Sequence, residues 1–269
     1  MTTDVIRRCR PLLGTFVEIT ADRANAIDAA FAVVARVHAR MSAHDPASDL
    51  GRANASAHRR PVAVDPWTAE VVAAALRWAQ ASDGGFDPTI GGRQRARGWL
   101  PVHAGDPAPD PAATWRDVTV TEDGIAFARP LALDLGGIAK GFAVDQALAA
   151  LRDAGAAAGL VNAGGDMAAF GAAWPVTLVD PLTRAPVATI ALRDSALATS
   201  AGVRGGSGLD FAHLPHRAPA LTSATVAARA CRDADVLAKL VIADHPRAAA
   251  CLAAAGAEVV AVERRRCAA

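Results

Sequence analysis

The stretch Leu133-Asp-Leu-Gly-Gly-Ile-Ala-Lys140-Gly-Phe-Ala-Val-Asp-Gln-Ala-Leu148 limits the fold more than any other part of the chain. Leu131 to Leu135 is a largely apolar run of strand length. Two glycines follow, and Ala139 to Arg152 then carries apolar residues at helical spacing before Gly155. The order is strand, tight turn, helix. Lys140 stands where the turn becomes helix. Glycines let a ligand approach the backbone, free N–H groups at a helix start favour negative charge, and a lysine adds a point charge. The spacing is neither a Walker A loop nor GxGxxG. Taken alone, the stretch reads equally as an anion-binding turn or as a packed turn with an exposed lysine.

The flanking elements are mixed rather than strictly alternating. Gly14 to Thr20 alternates apolar and polar residues and predicts a strand. Ala26 to Met41 predicts a helix whose apolar face holds Ile27, Ala30, Phe31, Val34 and Val37. Met41 to Asp49 reads as loop. Pro66 opens a helix that runs through Ala79 and stops at Asp83-Gly84-Gly85. Residues 88 to 116, rich in Gly, Pro and Arg, read as an exposed excursion. Val118 to Val120 and Ile125 to Phe127 flank Thr121-Glu-Asp-Gly124 as a hairpin. Strands are expected over Gly159 to Asn162, Pro175 to Val179, Val187 to Leu192 and Leu221 to Ala228. Asp233 to Ile242 predicts a helix, followed by one more helix and a strand over Glu258 to Val262. Hairpins among helices point to an α+β fold.

Composition removes several classes of function. The 269 residues are 52% apolar and 20% charged, which suits a globular protein with a sizeable core. A formal net charge of +1 gives no field to attract nucleic acid or an anionic membrane. The final Arg264-Arg265-Arg266 reads as a solvated tail. Cys9, Cys231, Cys251 and Cys267 form no CxxC pair, and reduced, unpaired thiols are expected. No run approaches a bilayer span and no apolar signal region opens the chain, so a cytoplasmic location without membrane insertion is expected.

Other stretches carry polar groups at suggestive spacings. Asn162-Ala-Gly-Gly-Asp166 ends an apolar strand in a tight turn, with Asp166 placed to orient the loop or meet a ligand. Gly84-Gly85-Phe86-Asp87 is either a helix cap and turn or a ring wall with an acceptor for ring N–H groups. His213-Leu-Pro-His216 is no helix, because Pro215 interrupts it. Asp235 and Lys239 lie four apart on one helix face, which reads as an ion pair near a helix start, worth about a few tenths of a kcal/mol, or as a carboxylate held ready for a cation or a proton. Thr199 to Gly202 reads as small-residue loop.

The order of these pieces is more specific than any one of them. Leu13-Gly-Thr15, the Met41 to Leu50 loop, Phe86-Asp-Pro-Thr89, Asp134 to Gly141, Asn162 to Asp166, Thr199-Ser200, His213 and Ala234-Asp235 follow one another along the chain. The series resembles the ApbE family, the FAD:protein FMN transferases, from about residue 10 to about residue 242. The resemblance implies a single α+β domain over residues 1–269, related to the T-fold, with mixed or antiparallel sheets. It implies FAD as the bound substrate and a divalent metal, usually Mg²⁺. FMN then passes to a threonine of an acceptor flavoprotein, and AMP leaves. It also implies contacts to FAD from Leu13, His44, Gly85, Phe86, Asp87, Asp134 and Lys140. Gly137, Asp235 and Ala238 fall at the metal, and Asp235 and His213 at the catalytic positions. Lys239 stands where the family usually carries a threonine ligand, and the Leu-Pro-His-Arg-Ala-Pro219 run after His213 replaces an Asp-Pro and Thr-Gly turn. Two further readings stay open beside transfer: a metal-dependent FAD pyrophosphatase, and an FAD-binding carrier or scaffold.

Overall fold

The structure, a computed structural model, describes residues 5–180, 183–205, 208–210, 214 and 221–264. In chain order its elements are β1 (Ile6–Leu12), β2 (Thr15–Ala21), α1 (Ala24–Met41), α2 (Asp49–Ser56), α3 (Pro66–Ala81), α4 (Gly91–Ala96), β3 (Val118–Thr121), β4 (Gly124–Phe127) and α5 (Ala139–Asp153). Then come β5 (Gly159–Ala163), β6 (Asp166–Phe170), β7 (Trp174–Val179), β8 (Pro186–Leu192), β9 (Ser195–Ala201), β10 (Val203–Gly205), β11 (Gly208–Asp210), β12 (Leu221–Ala228), α6 (Cys231–Ile242), α7 (Ala248–Ala255) and β13 (Glu258–Arg264). The fold is α+β. The chain divides into two compact units. The first holds Met1–Ala35, Lys140–Phe211 and Arg217–Ala269, and the second Arg36–Ala139 and Ala212–His216.

The first unit is built on a seven-stranded antiparallel sheet in the order β1-β2-β5-β6-β9-β12-β13. One face packs against α1 and α5, where Val17, Ile19, Phe31, Val34, Val144, Leu148, Leu151, Val161 and Phe170 share a core. On the other face Met167, Ala169 and Leu197 meet Val176 and Leu192 of the β7–β8 hairpin. The strand β6 is therefore buried on both faces along its whole length. A strand covered on both sides loses the polar–apolar alternation that marks a half-exposed one, and Asp166–Phe170 gave no such signal. Thr199 to Ala201, expected as loop, is instead the end of β9, paired to β12 through Thr199 opposite Thr225.

In the second unit, the three-residue-and-four-residue apolar spacing after Pro66 does form α3, capped by Asp65, whose side chain accepts from the Trp67 N–H at 2.9 Å. The chain leaves α3 through Asp83 and Gly84, both in the left-handed region at φ 52° and 79°. The expected β3–β4 hairpin forms, with Val118 opposite Phe127 and Thr121 opposite Gly124. The excursion over 88 to 116 is more ordered than its composition suggested, since it contains α4.

Leu131 to Leu135 corrects the first expectation: it is no strand and belongs to no sheet. Its backbone is satisfied by other means. The Asn54 amide takes both polar groups of Leu133, accepting from its N–H at 2.8 Å and donating to its carbonyl at 3.0 Å. The Ala132 carbonyl accepts from Gly91, and the Asp134 N–H donates to the Pro88 carbonyl. A buried chain must pair these groups, and a side-chain amide does so as well as a neighbouring strand.

Candidate active site

The first unit gathers four charged side chains from three separate elements. Lys140 lies in the first turn of α5, Asp166 opens β6, and Asp235 and Lys239 lie one turn apart on α6. The Lys140 ammonium bonds the Asp166 carboxylate and stands 3.5 Å from the Asp235 Oδ2. The Lys239 ammonium bonds the Asp235 Oδ1 and also donates to the Asp235 carbonyl at 3.2 Å. The Gly141 N–H points at Asp235 Oδ2 from 3.4 Å. Asp166 and Asp235 are 2% and 1% exposed, Lys239 is 8% exposed, and the Lys140 side chain alone keeps an open edge at 29%. The i,i+4 pair Asp235–Lys239 is thus a buried pair, and the few tenths of a kcal/mol of a surface pair do not describe it.

Local sequence explains why these groups meet. Asn162-Ala-Gly-Gly-Asp166 is a two-residue hairpin: Ala163 pairs with Asp166, and Gly164 and Gly165 take φ 67° and 105°. Both central residues at positive φ match the sheet's twist and place Asp166 at the first position of β6. The Asn162 side chain accepts from Gly165 at 3.0 Å and fixes the turn. Gly141 has a different task. A Cβ there would lie 2.5 Å from the Cys231 carbonyl and 2.6 Å from the Arg232 Cα, so its bare backbone lets α6 begin against α5. That close approach brings Asp235 within reach of Lys140.

The electrostatics follow from burial. Loss of water works against the Lys140 charge, but the carboxylates of Asp166 and Asp235 outweigh it and hold its pKa above the ordinary lysine range. Burial, with the Asp235 charge adding to it, pushes Asp166 up to about 6. Burial also raises the Cys231 thiol well above its usual value, so it is a packed, protonated group rather than a nucleophile.

Asp145 was not singled out by its sequence context. The residue before α6, Ala230, has no capping side chain, and Asp145 of α5 supplies one across the gap. Its carboxylate accepts from the Cys231 N–H at 2.7 Å and the Arg232 N–H at 3.0 Å. A helix start lacking Ser, Thr, Asp or Asn was the available signal that a cap comes from elsewhere. Burial lifts Asp145 from 3.8 to about 6. The folded chain then holds this proton more tightly than the unfolded chain. Its contribution to stability therefore falls as pH rises from 3.8 to about 6 and is level above that. Asp145→Ala is expected to cost about 1–2 kcal/mol in urea unfolding at pH 7, and Asp145→Asn, which keeps one acceptor, less. The same titration from pH 4 to 7 should lose part of its slope in both variants.

A family model described as the ApbE family matches residues 13–262. The chain belongs to the ApbE family. Among curated relatives, a FAD:protein FMN transferase of Rhodobacter capsulatus is 34% identical over 176 residues, covering 56% of this chain and 32% of that protein. A FAD:protein FMN transferase of Haemophilus influenzae is 28% identical over 207 residues, 68% of this chain and 60% of that protein. The chain thus spans between about a third and three fifths of these relatives. Among solved structures, the flavin transferase ApbE of Vibrio cholerae is 25% identical with a TM-score of 0.79, over 95% of this chain and 92% of that one. The Thermotoga maritima ApbE protein, at 24% identity and TM-score 0.83 over 98% and 97%, shares the fold.

The other positions drawn from the ApbE resemblance fall as follows. In the first unit Leu13 sits in the β1–β2 turn in the left-handed region, φ 56°, half-buried against the core. Ala238 is fully buried in α6, where its only oxygen is a helix-interior carbonyl. In the second unit His44 is exposed, with its N–H on the Ser42 hydroxyl at 3.2 Å. Gly85 and Phe86 are buried, and the Phe86 N–H donates to the Ser82 hydroxyl. Asp87 accepts from the Thr89 N–H and hydroxyl at 2.8 and 2.6 Å, and it lines a cavity of about 370 Å³ with Arg93, Asp110 and Leu131. Asp134 accepts from the Gly136 N–H at 2.9 Å and from the Gln94 amide at 2.8 Å, while Gly137 is half-buried in the same turn. His213 lies outside the described residues.

The Mg²⁺ that the ApbE resemblance implies finds no matching donor set in the first unit. Both Asp235 oxygens face donors, an ammonium on one and an N–H and second ammonium on the other. A hard divalent cation takes oxygen ligands and usually keeps several waters. Among the described residues no three His, Cys, Asp or Glu side chains are grouped so that they could hold a metal ion. Cys9, Cys231 and Cys251 are free thiols, and Cys267 lies outside the described residues. Among the described residues no helix is long and apolar enough to cross a membrane.

Proposed function

We propose that this chain is an FAD:protein FMN transferase that moves FMN from FAD to a threonine side chain of an acceptor flavoprotein. The threonine oxygen attacks the phosphorus on the FMN side of the pyrophosphate. The bond from that phosphorus to the bridging oxygen breaks, AMP leaves with the electron pair, and the threonine proton passes to a base.

The observation that carries this reading is the buried Lys140–Asp166–Asp235–Lys239 cluster. Pyrophosphate cleavage by a neutral hydroxyl needs positive charge on the phosphates and an acceptor for the proton. Lys140 has the open edge of the cluster and a pKa held high by its carboxylates. It is therefore a permanent cation available to a phosphate oxygen, and Asp166 and Asp235 orient it. Asp235 and His213 are the candidate bases. On this reading the start of α5 does two things: Gly141 serves helix packing, and Lys140 serves the pyrophosphate.

AMP release measured by chromatography tests it. With FAD and a threonine-containing acceptor peptide, AMP should appear in step with loss of unmodified peptide. With the threonine replaced by alanine, AMP should stay at background. AMP and free FMN released without any acceptor would make the chain a pyrophosphatase instead. FAD bound with no AMP formed would make it a carrier.

A further inference from the structure

Lys239 carries an inference that rests on the flavin transferase reading and goes beyond it. It is a lysine 8% exposed in the middle of α6, with its ammonium on both the carboxylate and the carbonyl of Asp235. Burying a long cationic side chain is costly unless its charge is compensated. Here the compensation is complete: the ammoniums of Lys140 and Lys239 stand against the carboxylates of Asp166 and Asp235, two against two. Adding a divalent cation would leave this buried group with two uncompensated positive charges and would have to displace Lys239 from Asp235. Removing Lys239 would leave one carboxylate uncompensated beside Lys140.

We infer that the Lys239 ammonium is the resident cation of this site, held on Asp235 in place of a divalent metal, so that FAD binding and FMN transfer proceed without Mg²⁺. Lys140 meets the substrate from the open edge. Lys239, one helical turn beyond Asp235, supplies the second fixed charge from below and keeps the Asp235 carboxylate from recruiting a metal. An ammonium on a helix needs no loading step and no free cation.

The test reads metal binding without needing turnover. Mn²⁺ is titrated into the full chain, with and without FAD, and the six-line signal of the free aquo ion is followed by electron paramagnetic resonance. The wild type should leave that signal at its buffer amplitude, and its thermal midpoint should be the same in Mg²⁺ and in EDTA. Lys239→Met should take up about one Mn²⁺ per chain, displaced by excess Mg²⁺, because Asp235 becomes an open oxygen ligand. Lys239→Arg should remain indifferent. Transfer by the wild type should change by less than about twofold between Mg²⁺ and EDTA, where a metal-assisted step loses far more. Uptake of one Mn²⁺ by the wild type overturns the inference, and so does a folded Lys239→Met that takes up none. If Lys239→Met does not fold, the wild type and Lys239→Arg decide the matter. Failure of FAD to bind would remove the transferase reading while leaving the Mn²⁺ result standing.

Discussion

Asp235→Ala is expected to abolish FMN transfer and to destabilise the chain by about 3–5 kcal/mol. Asp235 is 1% exposed and, among the described residues, is the carboxylate within 4 Å of both lysines. Without it the Lys239 ammonium is buried with no directly bonded carboxylate among the described residues, and Lys140 keeps its bond to Asp166. Breaking a buried pair by removing one partner costs far more than the pair contributes, because the remaining charge stays out of water. Urea unfolding measures the stability, and AMP release measures the chemistry. Asp235→Asn separates the two effects. Its amide keeps the volume and one oxygen, so the fold should survive better, while the charge that orients both lysines is gone and transfer should still fall by about a hundredfold or more. Full activity in Asp235→Asn would remove Asp235 from the machinery.

Gly141→Ala is expected to destabilise by about 2–4 kcal/mol, in the opposite direction to its effect on an isolated helix. In a helix interior, alanine in place of glycine adds about 1 kcal/mol of stability. At this position the added methyl would lie 2.5 Å from the Cys231 carbonyl oxygen and 2.6 Å from the Arg232 nitrogen and Cα. These are backbone atoms at the start of α6 and cannot swing aside as a flexible side chain would. The two helices must separate, which draws Asp235 away from Lys140 and from the Gly141 N–H. The variant should therefore show both a lower urea midpoint and weaker FAD binding. Unchanged or raised stability would mean that α5 and α6 do not meet at Gly141.

These two residues show how legibility divided. The glycine-turn-helix over Asp134 to Arg152 was visible from pattern alone, and α5 forms there. The reason for its last glycine was not visible, because Gly141 answers to Cys231 and Arg232, far along the chain. The same separation hid the Asp145 cap of α6 and the Asn54 amide that serves Leu133 in place of a sheet partner. Pattern reading failed for β6 because both faces are covered, and for β9 because small residues carry no period. Asp235 and Lys239 were legible as a pair but not as a buried one. Their burial depends on α6 packing against the sheet, whereas i,i+4 spacing looks the same on any helix.

The most direct measurement of the central claim is the intact mass of a threonine-containing acceptor peptide after incubation with FAD and the wild-type chain. The account predicts a single product heavier by one FMN less one water, lost when Lys140 is replaced by Met. An acceptor of unchanged mass, with FAD either unbound or cut to free FMN and AMP, would contradict it.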